Sequence, residues 1–432
     1  MPQNTDIAII GAGPSGCIAA LAFAQQGANV TLIEAHPETR RRLAGEWLHP
    51  AAVDIMKRLN VPAMPTTEQH PPTQGFVAYP HDGGDPIPLD YADGQTGMTC
   101  GHHILVDTLR KTATAHPLVC YMPHTRSSHI AGQHLTVENT ETGQTATLVA
   151  STIVGASGRF SSVRKALGLS NKCTLLSYMA GVLLNDVEMP FEGLGHVFLG
   201  GPGPILAYRL NARQVRLCID VPIDAYRQNK NRFLSEAYTS AIPEPWREAF
   251  HETIRNGDVA WASNQHRSRA NYGRQGLALI GDAAGFFHPV TAIGMTMGFQ
   301  DGMCLSQSQT FESYRRCRQE RSHVPELLAL SLHDFFTCKN PGATTMCEGI
   351  YRMWRTNATE RRRTMQILSG EKTDVVEFNK SFLTGVSTAA RQVLSEKRRW
   401  RDAPFIMGYM GKWLHRLASN TYPFKAITHD TE

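Results

Sequence analysis

The sequence predicts an α/β fold in which a Rossmann-type nucleotide-binding domain is interleaved with a mixed β-sheet domain and followed by a helical C-terminal region. Three observations predict it. A glycine-rich turn at residues 11–16 lies between a buried strand and an Ala-rich helix. A second short apolar strand, at residues 277–280, leads into another Gly-rich turn and a helix. From residue 313 onward the pattern is mainly helical.

The first elements form one βαβ unit. Residues 5–10 are typical of a buried parallel strand, residues 14–26 of a helix and residues 29–34 of a second strand. A helix is expected over residues 50–59. The stretch from there to residue 101 is rich in Pro, Gly, Thr and Asp, which is typical of irregular structure with short strands. Part of a second domain is therefore expected to insert there.

The middle of the chain is mostly β-structure. Residues 102–115 return to a helical pattern, and residues 177–219 alternate in the manner of a half-buried sheet. Short strands are expected at residues 118–121, 135–138, 146–149 and 152–156. The expected division is a nucleotide-binding domain made of residues 1–65, 101–172 and 276–312, a β-sheet domain made of residues 66–100 and 173–275 that would bind the substrate, and a helical region over residues 313–432.

Length and composition are those of a globular protein with about two interlocked domains. The 432 residues are 42% hydrophobic and 19% charged, with no low-complexity tract. The net charge of +5 is mild for this length and does not indicate nucleic acid as a partner. Basic clusters, mostly in the last third, are interpreted as solvated helix faces, with an anionic membrane surface as the second interpretation.

Cysteine usage and the ends of the chain bear on its compartment. The nine cysteines form no C-x-x-C pair and have no metal-ligand spacing with histidine, so neither a disulfide framework nor a metal site is expected. The first strand begins by about Thr5, which leaves no room for a signal peptide, and no uncharged apolar run could span a bilayer. A cytoplasmic protein is expected. Residues 405–424 mix apolar and basic side chains and leave peripheral membrane contact open.

Gly11, Gly13 and Gly16 stand between the first strand and the first helix. Glycines there permit the tight turn, the approach of a pyrophosphate to the backbone and close helix packing, and the helix N-terminus stabilises the phosphate charge. Glu34 ends the second strand about 20 residues later, where a carboxylate accepts hydrogen bonds from both ribose hydroxyls. A plain structural turn and a solvated strand end are the alternatives, which this strand, loop and helix context disfavours. The pair indicates an adenine dinucleotide, FAD or NAD, without a 2′-phosphate.

The stretch 281–295 distinguishes the two cofactors. It reads GDAAGFFHPVTAIGM and resembles the second FAD motif of the para-hydroxybenzoate hydroxylase class of flavin monooxygenases. The resemblance implies that Asp282 holds the ribityl chain. It also implies that the helix at Gly294 and Met295 points its N-terminus at the flavin pyrimidine, where its dipole would stabilise anionic reduced flavin.

Residues 42–50 tie the chain to squalene epoxidases within this class. They read RLAGEWLHP, similar to the pattern that follows the ribose glutamate in that family, and residues 313–316 and 324–329 are similar to its later helices. The resemblance implies that Arg42 contacts FAD. It also implies that His49 faces the substrate side of the flavin, where an imidazole could position a phenol or polarise an oxygen. A surface helix cap is the alternative for His49.

Residues 155–164, GASGRFSSVR, resemble the middle motif of these enzymes, which is associated with FAD and NAD(P)H. Ser157 stands where the hydroxylases usually carry Asp, and halogenases of the same fold often carry Ser or Thr, which puts direct reduction by NAD(P)H in doubt. His102 stands near the place of an FAD-binding arginine; it would donate a hydrogen bond to the cofactor or form an exposed cap. The residues expected at FAD are Gly11, Gly13, Ser15, Gly16, Glu34, Ala35, Arg42, His102, Gly158, Asp282, Gly294 and Met295, with His49 as the catalytic residue.

The resemblance implies an FAD-dependent monooxygenase. In this class reduced flavin captures molecular oxygen as a C4a-hydroperoxide and passes one oxygen atom to an apolar aromatic or unsaturated small molecule, by hydroxylation or epoxidation. Electrons would come from NAD(P)H or from another source of reduced flavin, such as a separate reductase. Two alternatives stay open. One is a flavin-dependent halogenase, although its Trp-x-Trp-x-Ile-Pro signature is missing, and the other is a non-catalytic binding protein, which the set of Glu34, Arg42 and Asp282 disfavours.

Overall fold

The computed structural model describes residues 3–39, 43–62, 72–227, 230–337 and 341–395, together with residues 404, 407, 408 and 411. Arg42, which is expected to contact FAD, lies outside the described residues, as does most of the segment 405–424. Among the helices that are described, none combines the length and the apolar character needed to cross a bilayer.

The described chain mixes strands and helices up to residue 307 and is helical beyond it. Its strands are β1 (Gln3–Ile10), β2 (Val30–Ile33), β3 (Trp47–Leu48), β4 (Gly75–Tyr79), β5 (Ile87–Asp90), β6 (Met98–Thr99), β7 (Val119–Met122), β8 (Thr125–Ala131), β9 (His134–Asn139), β10 (Thr145–Gly155), β11 (Thr174–Asn185), β12 (Leu194–Phe198), β13 (Ile205–Asn211), β14 (Gln214–Val221), β15 (Ala260–His266), β16 (Gly273–Arg274) and β17 (Leu277–Leu279). Its helices are α1 (Pro14–Ala24), α2 (Pro50–Arg58), α3 (His102–Thr114), α4 (Ser162–Ala166), α5 (Ile223–Tyr226), α6 (Lys230–Tyr238), α7 (Arg247–Arg255), α8 (Gly294–Gln307), α9 (Phe311–Thr337), α10 (Pro341–Thr356), α11 (Ala358–Leu368) and α12 (Val375–Ser395).

The first sheet positions the cofactor segments. Its strands run in the order β16-β17-β10-β1-β2-β7, and β8 and β9 extend it from β10. β10 pairs in parallel with both β1 and β17, and the register places Gly155 beside Ile10 on one side and beside Leu279 on the other. The glycine-rich turns that follow these three strands therefore meet at one edge of the sheet, where α/β proteins of this kind bind nucleotides.

Helix α1 is buried between this sheet and the helices α3 and α8. Its residues Cys17, Ile18, Ala19 and Ala20 are fully buried, which explains why the segment is apolar on all sides instead of showing one apolar stripe. A β-carbon at Gly302 of α8 would lie 3.1 Å from the Ala19 backbone. The two helices therefore pack at close range because both residues are small.

The second sheet runs in the order β15-β11-β14-β13-β12-β4-β5. Successive residues of β14 alternate between its faces. Leu217 and Ile219 lie in a core that also contains Trp246 and Phe250 beside α6 and α7. The opposite face, called here the inner face, carries Arg216, Cys218 and Asp220 and is covered by cofactor segments and by the C-terminal helices, whose core includes Leu327 and Tyr351.

The structure corrects the expected elements in three places. The strands expected at 146–149 and 152–156 are one strand, β10, because its first half pairs with β9 and its second half with β1 and β17. The strand β8 was not expected. Neither were the helices α5, α6 and α7, which follow the second sheet and cover its outer face.

Candidate active site

The first glycine-rich turn forms a tight cradle at the start of α1. Gly11 has a φ of +110°, and a β-carbon there would lie 2.7 Å from the Ala156 carbonyl oxygen. A β-carbon at Gly16 would lie 1.9 Å from the Gly11 carbonyl oxygen, so both positions need glycine. Gly13 has open space where a β-carbon would stand. That opening is what the approach of a pyrophosphate to the backbone requires.

Glu34 lies beside this cradle at the end of β2. Its carboxylate accepts hydrogen bonds from the backbone N–H groups of Ala12 (2.8 Å) and His36 (2.9 Å). Each carboxylate oxygen can accept a further hydrogen bond, so the group can still receive ribose hydroxyls. Ala35, between the two anchored residues, is half-buried at the same bend.

Arg110 on α3 is a candidate cofactor-site residue that the sequence did not reveal. Its guanidinium donates to the carbonyl oxygens of Ala12 (3.1 Å) and Pro37, and it lies 4.0 Å from the Glu34 carboxylate. The resemblance suggested an arginine near the start of this helix, where His102 stands. The structure instead brings an arginine to the cofactor cradle about two helical turns later.

The second cofactor turn, Gly281–Ala283, follows β17. Gly281 has a φ of +59°, and a β-carbon there would lie 2.7 Å from Ser15 Oγ, so Ser15 brings the two cofactor turns into contact. The Asp282 side chain is 45% exposed and lies 3.7 Å from Arg159 Nε. Asp282 therefore points away from the core, as a residue that binds a ribityl chain must.

A buried ion cluster contacts this turn from the side of the protein core. The Asp301 carboxylate accepts a hydrogen bond from the Gly281 N–H at 2.8 Å and forms ion pairs with Arg269 and Arg318. Arg269 also donates to the carbonyl oxygens of Gly281 (3.1 Å) and Gly285 (2.9 Å). The three charged side chains are at most 2% exposed. Charged groups in the core therefore fix the backbone at Gly281 and Gly285, on either side of Asp282.

The N-terminus of α8 is open. Gly294 is exposed, and a β-carbon there would meet no atom within 4 Å. The hydroxyl oxygens of Thr291 and Thr296, on either side of it in the chain, are buried and have no hydrogen-bond partner among the described residues. The Met295 side chain packs against Gly45, where a β-carbon would lie 2.9 Å from it. Open N–H groups and unpaired hydroxyls suit the polar edge of a flavin ring.

These residues fit FAD. The middle turn, with Gly158 at a φ of +75° and open space around it, lies between the first and second cofactor turns along the same sheet edge. The first turn suits the pyrophosphate and adenosine ribose, and the second suits the ribityl chain and the ring. An extended dinucleotide would therefore run along this edge.

His102 is the first residue of α3. It is 7% exposed, and its Nδ1 lies 3.0 Å from the Gly45 carbonyl oxygen. The exposed-cap alternative is therefore wrong. The imidazole braces the segment that packs on Met295, and its direct contact with FAD stays a prediction.

His49 lies completely buried between the second cofactor turn and the second sheet. Its Nε2 lies 2.9 Å from the Thr291 carbonyl oxygen and must donate, so its Nδ1 accepts from the Tyr91 hydroxyl at 2.8 Å. Burial lowers the pKa of His49 to about 4, so the ring is neutral at pH 7. The residue occupies the N-cap position of α2, but its side chain makes no capping bond and is not at the surface. The surface-cap alternative is wrong, and contact of His49 with a substrate stays a prediction.

Glu46 joins the cofactor segment to the inner face of the second sheet. Its buried carboxylate accepts two hydrogen bonds from Arg216 (3.0 and 3.1 Å) and one from the Tyr208 hydroxyl (2.9 Å). Burial raises the pKa of Tyr208 well above its ordinary value, so the phenol remains a donor. No local motif marks Arg216 or Tyr208, which lie where the sequence resemblance is faint.

A second buried polar cluster occupies the same face. Asp220 Oδ1 accepts hydrogen bonds from Ser177 Oγ, Asn264 Nδ2 (2.9 Å) and His288 Nε2 (2.9 Å). His333 of α9 packs on the His288 ring, with 4.2 Å between the ring centroids. These five side chains come from β11, β14, β15, the second cofactor segment and α9, so their spacing in the sequence could not predict the cluster.

Three of these side chains form a group that could hold a metal ion, which the sequence did not predict. The ligand atoms of Asp220, His288 and His333 lie within 4.8 Å of one another. His288 Nδ1, however, accepts the Val290 N–H at 3.2 Å, so the proton of the neutral ring is on Nε2. Because Nε2 donates that proton to Asp220, it is not available as a ligand in this arrangement. The cluster is a hydrogen-bond network.

A cavity of about 460 Å³ lies between the second sheet and the C-terminal helices. The loop 199–202 after β12 forms one wall, and Phe335 and Phe336 of α9 form another. Tyr351 of α10 lies deeper, and the exposed His81 stands at the rim, 3.2 Å from its hydroxyl. The volume is in the range of small-molecule sites, and the lining combines apolar side chains with polar atoms such as those of His81, Thr344 and Tyr351.

Comparison with known proteins agrees with this site. Residues 149–399 match the family model described as squalene epoxidase, and residues 6–83 match one described as FAD dependent oxidoreductase. Squalene monooxygenase of Mus musculus is 25% identical over 307 residues, covering 69% of this chain and 53% of the mouse protein. The chain thus aligns with about half the length of that relative.

Two solved structures show the same fold. One is pqsL, a probable FAD-dependent monooxygenase from Pseudomonas aeruginosa, with a TM-score of 0.60 and 15% identity, covering 84% of this chain and 99% of pqsL. The other is the flavin-dependent brominase Bmp2, with a TM-score of 0.69 and 17% identity, covering 92% of this chain and all of Bmp2. At these identities the likeness concerns the fold alone.

The fold, the cofactor edge and the match to the FAD dependent oxidoreductase model define an α/β flavoprotein with FAD as its cofactor. The α/β fold and the FAD predicted from the sequence are confirmed. The family model for squalene epoxidase covers more than half of the sequence. The chain belongs to the squalene epoxidase family.

Proposed function

We propose that this protein is a monooxygenase that uses FAD, molecular oxygen and electrons from NAD(P)H or another reduced-flavin source to transfer one oxygen atom to an apolar aromatic or unsaturated small molecule. One observation carries the proposal. The segments at residues 45–49 and 291–295 pack on each other, through Gly45 against Met295 and through His49 to the Thr291 carbonyl oxygen. Glu46 of the first segment bonds to Arg216 and Tyr208 of the second sheet. The flavin end of the cofactor site would therefore lie against the inner face of that sheet.

Bound FAD supplies the oxygen chemistry. Gly13 and Glu34 would hold its pyrophosphate and adenosine ribose, and Asp282 its ribityl chain. The N-terminus of α8 at Gly294 would stabilise negative charge on the pyrimidine ring. Arg42, by resemblance, adds a further cofactor contact.

The rest of the site would exclude water and orient the substrate. The bonds from Arg216 and Tyr208 to Glu46 fix the inner face of the sheet against the cofactor segment, which keeps solvent out of the reacting volume. His49, neutral and held by Tyr91, would position the substrate at the flavin. The 460 Å³ cavity would receive its apolar body.

Oxygen-18 labelling tests the proposal. The FAD-loaded enzyme is supplied with a reductant, a panel of apolar aromatic and polyunsaturated compounds, and ¹⁸O₂. We expect a product that carries one labelled oxygen atom, and no label when the ¹⁸O is supplied as water. Consumption of oxygen with hydrogen peroxide as the sole product across the panel would contradict a monooxygenase.

A halogenase is the second candidate, favoured by Ser157 in the middle turn, whose hydroxyl faces the Phe160 carbonyl oxygen at 3.4 Å. The same labelling experiment run with chloride and bromide separates the two. Halide-dependent products without labelled oxygen would show that the protein is a halogenase.

We infer that the protein works in the cytoplasm. We also infer that it interacts with a separate reductase and with a membrane surface. Ser157 supports a separate reductase as electron donor, and the mixed apolar and basic segment 405–424 supports peripheral contact with an anionic membrane. Flotation of the purified enzyme with phosphatidylserine vesicles tests the contact. Equal recovery with neutral vesicles would argue against an electrostatic attachment.

A further inference from the structure

The polar cluster on the inner face contains two buried atoms with nothing bound to them. Asp220 Oδ1 accepts three hydrogen bonds, whereas Asp220 Oδ2 has no hydrogen-bond partner in the described chain. Facing it at 3.8 Å is His333 Nε2, which likewise has none within the described ranges. The side chains of Asp220 and His333 are 4% and 12% exposed. The network therefore leaves one carboxylate oxygen and one ring nitrogen, 3.8 Å apart, without a hydrogen bond from the described residues.

The two atoms differ in the hydrogen bonds that they can make. Burial raises the pKa of Asp220, but the hydrogen bonds from His288 and Ser177 help to keep it below its ordinary value, so the carboxylate is ionised. Burial lowers the pKa of His333 to about 4, so its ring is neutral. A buried acceptor without a donor costs on the order of 1–3 kcal/mol. A hydroxyl can donate to the carboxylate and also bond to a neutral imidazole.

The cavity ends next to this pair. A β-carbon at Gly203 would lie 3.1 Å from Asp220 Oδ2, and the residues just before it, Gly201 and Pro202, line the cavity. On α9, His333 lies one turn before the cavity-lining Phe336 and therefore on the same face of the helix. The unpaired atoms thus lie next to the two segments that form the inner wall of the cavity.

We propose that the cavity binds an apolar small molecule carrying one hydroxyl group, and that this hydroxyl docks between Asp220 Oδ2 and His333 Nε2. The inference rests on the proposed function, because it names the class of substrate that the site would take. It gives the cavity a polar recognition point at its inner end. It also distinguishes the substrate from a pure hydrocarbon, which would leave the Asp220 oxygen unsatisfied.

Matched probes test the proposal in the FAD-loaded protein. Isothermal titration calorimetry compares 4-butylphenol, butylbenzene and 4-butylbenzylamine, which share an apolar body. We expect the phenol to bind about tenfold more tightly than the hydrocarbon, as one hydrogen bond to a charged group implies. In Asp220→Asn and His333→Phe the preference should fall to about threefold or less, with hydrocarbon binding unchanged. Asp186→Asn, which alters an exposed carboxylate paired with Arg213, is the matched control.

Each other outcome overturns the proposal. Equal binding of phenol and hydrocarbon, binding of neither, or a preference that survives in both variants would show that the pair does not recognise a hydroxyl. Tighter binding of the amine would assign the site to a cation. If Asp220→Asn does not fold, His333→Phe decides alone. If the unmodified protein shows no preference for the phenol but still transfers oxygen-18, this proposal fails and the proposed function stands. If the preference is present but no oxygen-18 is transferred, the proposed function fails and the binding site stands.

Discussion

Asp282 is the single residue whose change should most directly affect the cofactor. Asp282→Ala is expected to weaken FAD binding about tenfold or more, because each hydrogen bond that a charged carboxylate accepts contributes roughly 1.5–3 kcal/mol. The fold should survive, since the side chain is 45% exposed. Flavin fluorescence titration gives the dissociation constant, with Asp186→Ala as the control. An unchanged constant in a folded variant would mean that the second cofactor turn does not hold the ribityl chain.

His49 is predicted to affect the coupling of oxygen consumption to product formation, and not the binding of the cofactor. His49→Ala removes the hydrogen bonds to the Thr291 carbonyl oxygen and the Tyr91 hydroxyl, so the substrate would no longer be held at the flavin. The variant should retain FAD and flavin reduction but release hydrogen peroxide in place of oxygenated product. Comparing oxygen consumed with product formed measures this. A fully coupled variant would leave His49 as a structural residue of the core.

Ser157 is predicted to slow direct flavin reduction. The Asp usual at this place helps to hold FAD and guide the nicotinamide, according to the resemblance, and a serine cannot replace its charge. Stopped-flow mixing with NADH and NADPH should give slow reduction that speeds up in Ser157→Asp or when a reductase is added. Rapid reduction of the unmodified enzyme by either nucleotide alone would make the serine a neutral variation.

The candidate residues that the sequence singled out and those that only the structure brings to the site differ in one physical respect. Gly11, Glu34 and Asp282 are each fixed by a few neighbours in the chain, so a short pattern identifies them. Arg110 and Asp220 acquire their roles only through contacts with distant segments. No local spacing carries that information.

At the scale of elements, the buried ion cluster couples α8 and α9 to the second cofactor turn. Asp301→Asn should leave Arg269 and Arg318 without their shared countercharge and loosen the turn at Gly281. We expect FAD affinity to fall at least about tenfold, together with a lower unfolding temperature, because breaking a buried charge pair costs about 3–5 kcal/mol. Glu312→Gln, which breaks an exposed pair on α9, is the control. Normal FAD affinity in a destabilised Asp301→Asn protein would make the cluster structural only.

Elements with a strong periodic pattern were predictable, and those decided by their partners were not. β1, α1 and α3 agree with their sequence patterns to within a few residues. The sequence pattern predicted two strands, at residues 146–149 and 152–156, but pairing on both sides makes β10 one continuous strand. The helices α5, α6 and α7 form because their apolar residues cover the outer face of the second sheet, a surface that exists only after the sheet has formed.

At the scale of the whole molecule, buried histidines make stability depend on pH. Burial lowers the pKa of His49, His196 and His333 to about 4 each. The unfolded chain binds these protons at about pH 6.5, so stability is complete above that pH and is lost as the pH falls toward 4. For the fully buried His49 the loss is on the order of 3 kcal/mol.

Urea denaturation between about pH 7 and pH 4.5 measures the effect. His196→Gln, in an aromatic cluster on the second sheet, should show a smaller loss of stability on acidification than the unmodified protein. If the stabilities of the two proteins fall in parallel with pH, His196 binds its proton as readily in the folded protein as in the unfolded chain.

The position of β10 between β1 and β17 has a consequence for how the protein is made. β1 is synthesised before β10, whereas β17 and the turn after it occupy residues 277–283. The first sheet can therefore be completed only after residue 283 has been synthesised. Until then one edge of β10 is available to neighbouring nascent chains, and no complete pocket exists to retain a flavin. FAD can bind and stabilise only the completed sheet. The concentration of FAD in the cell would therefore affect the fraction of newly synthesised protein that folds and does not aggregate.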